Sequence, residues 1–150
     1  MRVAADPIRA FEVFTREIAS WWQPDPLFQI TSQGDGELLF EPGVDGRLIT
    51  RLAGGESFEI GRISVWEPGK RLVFSWRQAS FSGGQRTQVE VLFEPAGDET
   101  RVSIEHQAWD TLPQGHVARH GFPEHITLQR VAEWWRASLG VLRARLNADT

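Results

Sequence analysis

His106 is the residue whose type and place most invite chemistry. It shares its parity with Val102 and Ile104 in the run Arg101–Gln107, so as a strand these three side chains fall on one face, and Arg101, Ser103 and Glu105 fall on the other. A neutral imidazole on an apolar face can hydrogen-bond a ligand or act as an acid or base near neutral pH. It can also be a histidine that is satisfied by the backbone or by a carboxylate such as Glu41 or Glu59. Trp76 has the parity of Leu72 and Phe74, which makes it either a core filler, the favoured reading, or a lone indole N–H donor in an apolar pocket wall. Trp22, Phe58, Trp109, Phe122 and Trp135 are each core or lid taken singly. Together with Phe74, Trp76 and His106 they form the candidate ligand-binding set, lining an apolar pocket for a flat or greasy ligand.

Other chemistries are poorly supplied. The chain has no Cys and no Tyr, so thiolate ligands, cysteine nucleophiles and a phenolic acid or base are excluded. His116 and His120 stand four apart, a spacing that can place two imidazoles on one metal, but no third ligand follows at a suitable distance. No metal and no cofactor is therefore expected. There is no Gly-rich phosphate loop leading into a helix and no Gly-x-Ser-x-Gly. A net charge of −4 without a basic stripe argues against nucleic acid. No apolar run nears the roughly 20 residues of a membrane span. The first residues lack the apolar core of a secretory signal, so the expectation is a cytoplasmic protein, monomeric or homodimeric, with no membrane insertion.

The elements that must position these residues follow from period and punctuation. With 150 residues, 41% of them hydrophobic and 24% charged, the chain fits one globular α+β domain over 1–150. Asp6-Pro7 reads as N-cap and first helical position, and Ile8, Phe11, Phe14 and Ile18 carry a helix to about Ser20. Only a stub strand, Arg2 to Ala5, fits before it. From Gly36 the period becomes two. Six strands follow, near 36–41, 46–53, 57–66, 71–77, 87–94 and 100–107, separated by Pro-Gly, Gly-Gly and Gly-Asp turns, which predicts an antiparallel meander. Pro113 to Arg119 can form a short helix. From Glu124 to Leu146, Ile126, Leu128, Val131, Trp135, Leu139, Leu142 and Leu146 recur at helical spacing, and Trp134, Ala137, Ser138 and Val141 widen the apolar face. That helix would be about 34 Å long, and a twisted sheet curling around it would leave a space wherever the facing side chains do not fill it.

Several stretches, in order, resemble one family. They are Asp6-Pro7 with Ala10 to Thr15, Ser20-Trp21-Trp22, Phe40-Glu41-Pro42, Gly46-Arg47, Gly61-Arg62-Ile63, Trp66-Glu67-Pro68, Arg71 to Trp76, Thr87 to Pro95, and His106 to Trp109. As an ordered set covering nearly the whole chain, they resemble the SRPBCC proteins related to the activator of heat-shock-protein-ninety ATPase. The resemblance implies the helix-grip fold (START-like, Bet v-like), a six-to-seven-stranded antiparallel sheet wrapped around a long C-terminal helix and enclosing a cavity. Relatives carry a fuller first strand than Met1 to Ala5. The family shares a cavity rather than a reaction, so the expected function is binding of a hydrophobic small molecule, with no catalytic residue assigned. The alternatives are an enzyme on the same fold, a polyketide cyclase or hydratase-like lyase using His106, and a co-chaperone-like protein working through its surface.

Overall fold

The computed structural model describes residues 1–22, 36–52, 54–76, 87–107 and 124–147, without the side chains of residues 107 and 124–128. Residues 113–119, where a short helix is expected, lie outside them. The elements in chain order are β1 (Arg2–Val3), α1 (Pro7–Arg16), α2 (Ile18–Trp21), β2 (Glu37–Phe40), β3 (Arg47–Arg51), β4 (Ser57–Glu67), β5 (Arg71–Trp76), β6 (Thr87–Ala96), β7 (Glu99–Gln107) and α3 (Glu124–Asn147). The strands form one antiparallel sheet in the order β1-β7-β6-β5-β4-β3-β2. This is the expected meander, with the stub β1 added beside β7 through Arg2↔Arg101 and Val3↔Thr100.

The N-terminal helix starts as its residues dictate. Asp6 accepts from the Arg9 N–H at 2.8 Å and Pro7 occupies the first turn. It does not run unbroken to Ser20. The backbone leaves helical geometry at Glu17 and resumes as the short α2. The break brings the Trp21 indole back over α1, where Nε1 donates to the Val13 and Phe14 carbonyls, each at 3.3 Å. Both carbonyls lie in the last turn of α1, where a helix runs out of its own donors, and that of Val13 also accepts from the Glu17 N–H at 3.2 Å.

The sheet curls because β4 is uneven. Its register slips at Ile60, between Leu48↔Gly61 and Ile49↔Glu59, and again at Ser64, between Ile63↔Phe74 and Val65↔Val73. An extra residue on one strand bends it and increases local twist. The concave face then alternates as the sequence predicts. Thr87, Val89, Val91 and Phe93 of β6 are buried while Gln88 and Glu94 are exposed. Phe11 of α1 meets Phe93 at 5.2 Å and Trp66 at 5.0 Å, and Phe40 meets Phe74 at 5.2 Å, so aromatic rings fill this end of the core.

Helix α3 lies against this assembly through Val131, Trp134, Trp135, Ser138, Leu139, Leu142 and Leu146, all buried. Ala137, expected on the apolar face, is exposed, so the stripe is narrower on that side than composition suggests. The end of the helix is tied to the N-terminal elements. Arg145 meets Glu17 at 2.7 Å, and the Asn147 Oδ1 accepts from the Ala4 N–H at 3.0 Å. Gly140 is exposed within α3, and a Cβ there would meet nothing within 4 Å. Gly140→Ala is therefore expected to raise unfolding stability by roughly 0.5–1 kcal/mol. A lower urea midpoint would show that the helix turn needs glycine.

Candidate functional site

The polar centre of the sheet–helix junction is built from three strands and one helix. Trp76 ends β5, Thr87 begins β6 directly opposite it, and His106 lies near the end of β7, opposite Val89. Trp135 reaches them from α3. The Trp135 Nε1 donates to His106 Nδ1 at 3.0 Å, and His106 Nε2 lies 2.6 Å from the Thr87 hydroxyl. Thr87 Oγ1 in turn donates to the Trp76 carbonyl at 3.4 Å.

The directions of these bonds fix the tautomer. An indole nitrogen only donates, so Nδ1 must carry its lone pair and the imidazole proton must sit on Nε2. Nε2–H donates to Thr87, whose own proton goes on to Trp76. A second ring proton, on Nδ1, would point at the indole N–H. Burial pushes the imidazole pKa down from 6.5 to about 3. The carboxylates that could have opposed this are elsewhere: Glu41 is held by Arg47 at 2.8 Å and Glu59 by Arg62 at 3.4 Å. Because the unfolded chain takes up this proton first, stability tied to His106 is lost as pH falls from 6.5 towards about 3. The ring carbon protons of His106 should show no titration between pH about 7 and about 5. A midpoint near its ordinary value would contradict the buried neutral ring.

Aromatic rings surround this relay. Trp76 lies 5.4 Å from Trp22, 5.4 Å from Trp134 and 6.0 Å from the His106 ring. Trp22 also meets Trp135 at 5.4 Å. The candidate set thus divides. Trp22, Trp76, Trp135 and His106 are brought together. Phe74 is buried apart from them, against Phe40, and Phe58 is half-buried on β4, on the far side of the sheet order from β7. Trp109, Phe122, His116 and His120 lie outside the described residues. Among the described residues no group of His, Asp and Glu could hold a metal.

The indoles of Trp22, Trp76 and Trp134 pack against one another rather than lining open space. Space opens beside them. A cleft of about 620 Å³ runs between β7 and α3, with apolar walls from Val102, Ile104, Val131, Trp135 and Leu139. His106 lies in its wall, and Ala132, Arg136, Ser103, Glu105 and Met1 form the remainder. Sequence reasoning found His106 and Trp135 but not Thr87, the residue that orients the imidazole. A hydroxyl facing inward from the first position of a strand was the available signal. Val131 and Leu139 were read only as part of the apolar face of the helix, and Arg136 was not singled out.

Comparison with known proteins places this architecture. Its sheet and helix match those of CalU16 from Micromonospora echinospora (22% identity, TM-score 0.63, covering 100% of this chain and 73% of that one). They also match DynU16 of the dynemicin biosynthetic locus (18%, TM-score 0.67), of which the chain spans only 46%. Txn09, described as an anthrahydroquino-γ-pyrone synthase, is 27% identical with a TM-score of 0.55, over 96% of this chain and 92% of that one. A search among curated proteins finds no match. These neighbours are helix-grip proteins of the SRPBCC type, which is the fold expected from the sequence. No described helix is long and apolar enough to cross a membrane. The family described as Activator of Hsp90 ATPase homolog 1-like protein matches residues 4–147, and the chain belongs to that family.

Proposed function

We propose that the protein is a small-molecule binding module whose ligand, apolar and planar, lies in the cleft between β7 and α3. The observation that carries this reading is the cleft itself. It is in the size range of small-molecule sites and mainly apolar in its walls. The imidazole beside it is held neutral, with both ring nitrogens already engaged. A ligand there would rest on the Trp135 and His106 rings and gain chiefly from burial of its own apolar surface. The neighbours support the reading in kind, since one belongs to a biosynthetic locus and another is named as a synthase and was solved as a complex.

A second reading, an enzyme on the same fold such as a polyketide cyclase or hydratase-like lyase, is favoured by the likeness to Txn09. His106 is poorly placed to be its base, because the one lone pair of the neutral ring already accepts from Trp135. A surface-acting co-chaperone role would leave the cleft without a purpose.

Naphthamide, a neutral planar probe, tests the binding reading. It should quench tryptophan emission saturably at one site. Ala132→Trp, at an exposed position in the cleft wall, should abolish binding and leave the melting temperature unchanged. Binding unaffected by Ala132→Trp would move the site elsewhere, and conversion of a bound ligand to product would favour the enzyme.

A further inference from the structure

We infer that the cleft selects ligands bearing an acidic group, a carboxylate or an ionised phenol, on the planar apolar body. This inference rests on the binding reading above. Arg136 stands on the cleft wall one turn beyond Ala132. It is exposed and makes no ion pair among the described residues. Glu133, the acid within reach on its own helix, is taken by Arg130 at 3.2 Å. The guanidinium therefore borders a mainly apolar cleft with its fork of donors unused among the described residues, a chemistry suited to a carboxylate.

The opposite wall offers a second donor. Val102 exchanges both backbone bonds with Met1, and its cross-strand partner Phe93 donates instead to the Lys70 carbonyl. Antiparallel alternation then turns the N–H and C=O of Ile104 to the same side as those of Val102, along the edge of β7 beyond Met1. No described strand pairs there, since β1 reaches only Thr100 and Arg101. The Ile104 N–H therefore faces the cleft edge as a donor. Glu105, exposed at the lip, is the opposing charge. It makes no ion pair among the described residues, and it lies on the outward parity of β7, whereas Arg136 rises from the helix wall. Apolar walls with a cation on one side and a strand-edge N–H on the other fit an aromatic acid better than a neutral or cationic ring.

The test compares naphthoate with naphthamide, which share the ring and differ in charge. Naphthoate should bind about tenfold more tightly at low salt, as expected for a charge-assisted bond worth about 1.4 kcal/mol. The advantage should shrink as salt is raised. Arg136→Gln should abolish the difference, weakening naphthoate about tenfold more than naphthamide with the melting temperature unchanged, and Glu105→Gln should tighten naphthoate alone. Equal binding of the two probes, or equal weakening of both by Arg136→Gln, would overturn the acid preference and leave the cleft reading standing. Binding of neither would overturn both.

Discussion

Trp76→Ala is expected to cost about 3–5 kcal/mol of folding free energy, the range for a buried Trp or Phe truncated to Ala. Trp76 has no exposed surface, and its ring meets those of Trp22, Trp134, Trp135 and His106 within 5.4–6.2 Å. Its loss opens a cavity among rings that are themselves held by neighbours, so collapse into the gap requires several side chains to shift together. Its carbonyl also accepts from Thr87, so movement of the end of β5 would loosen the hydroxyl that orients His106. Urea unfolding measures the loss directly. A change below about 1 kcal/mol would mean that Trp76 lines open space rather than filling the core.

Gly61→Ala should be nearly as damaging, by roughly 3 kcal/mol, at the upper end for forcing atoms into packed space. An added Cβ would stand 1.7 Å from the Ser75 carbonyl oxygen and 2.5 Å from its carbon. These are backbone atoms of the adjacent strand, which no rotamer change can move. Gly61 also sits between the two register slips of β4, and the next residue, Arg62, donates its N–H to the Ser75 hydroxyl at 2.9 Å. To admit a methyl group the strands must separate where the sheet bends. Thermal unfolding should show the cost as a drop of several degrees. An unchanged midpoint would show that β4 and β5 are not so close at this point.

These two positions also show how far the sequence was legible. The helix start at Asp6-Pro7, the strand boundaries at the glycine turns and the extent of α3 are written locally, because capping, turn geometry and hydrophobic period involve residues within a few positions of each other. The break at Glu17 was not legible, because it depends on the Trp21 indole reaching back to Val13 and Phe14, which no period encodes. Parity placed His106 beside the helix. Its partners are Thr87, 19 residues away, and Trp135, 29 away, and only the β6–β7 register and the seating of α3 select them over Glu41 or Glu59. The close contact at Gly61 belongs to the same class, a pairing of strands rather than a property of the residue. Ala137 erred in the opposite direction: helical spacing gave its angle but not the width of the partner surface.

The central claim is that a planar apolar ligand lies against Trp135 and His106 between β7 and α3. Its most direct test follows the indole N–H resonances by NMR while naphthamide is added. The Trp135 N–H, which bonds His106 beside the cleft, should shift saturably with the probe. The Trp21 N–H, held at the Val13 and Phe14 carbonyls, should stay in place. A Trp135 resonance that does not move, or moves only as the protein unfolds, would contradict the account.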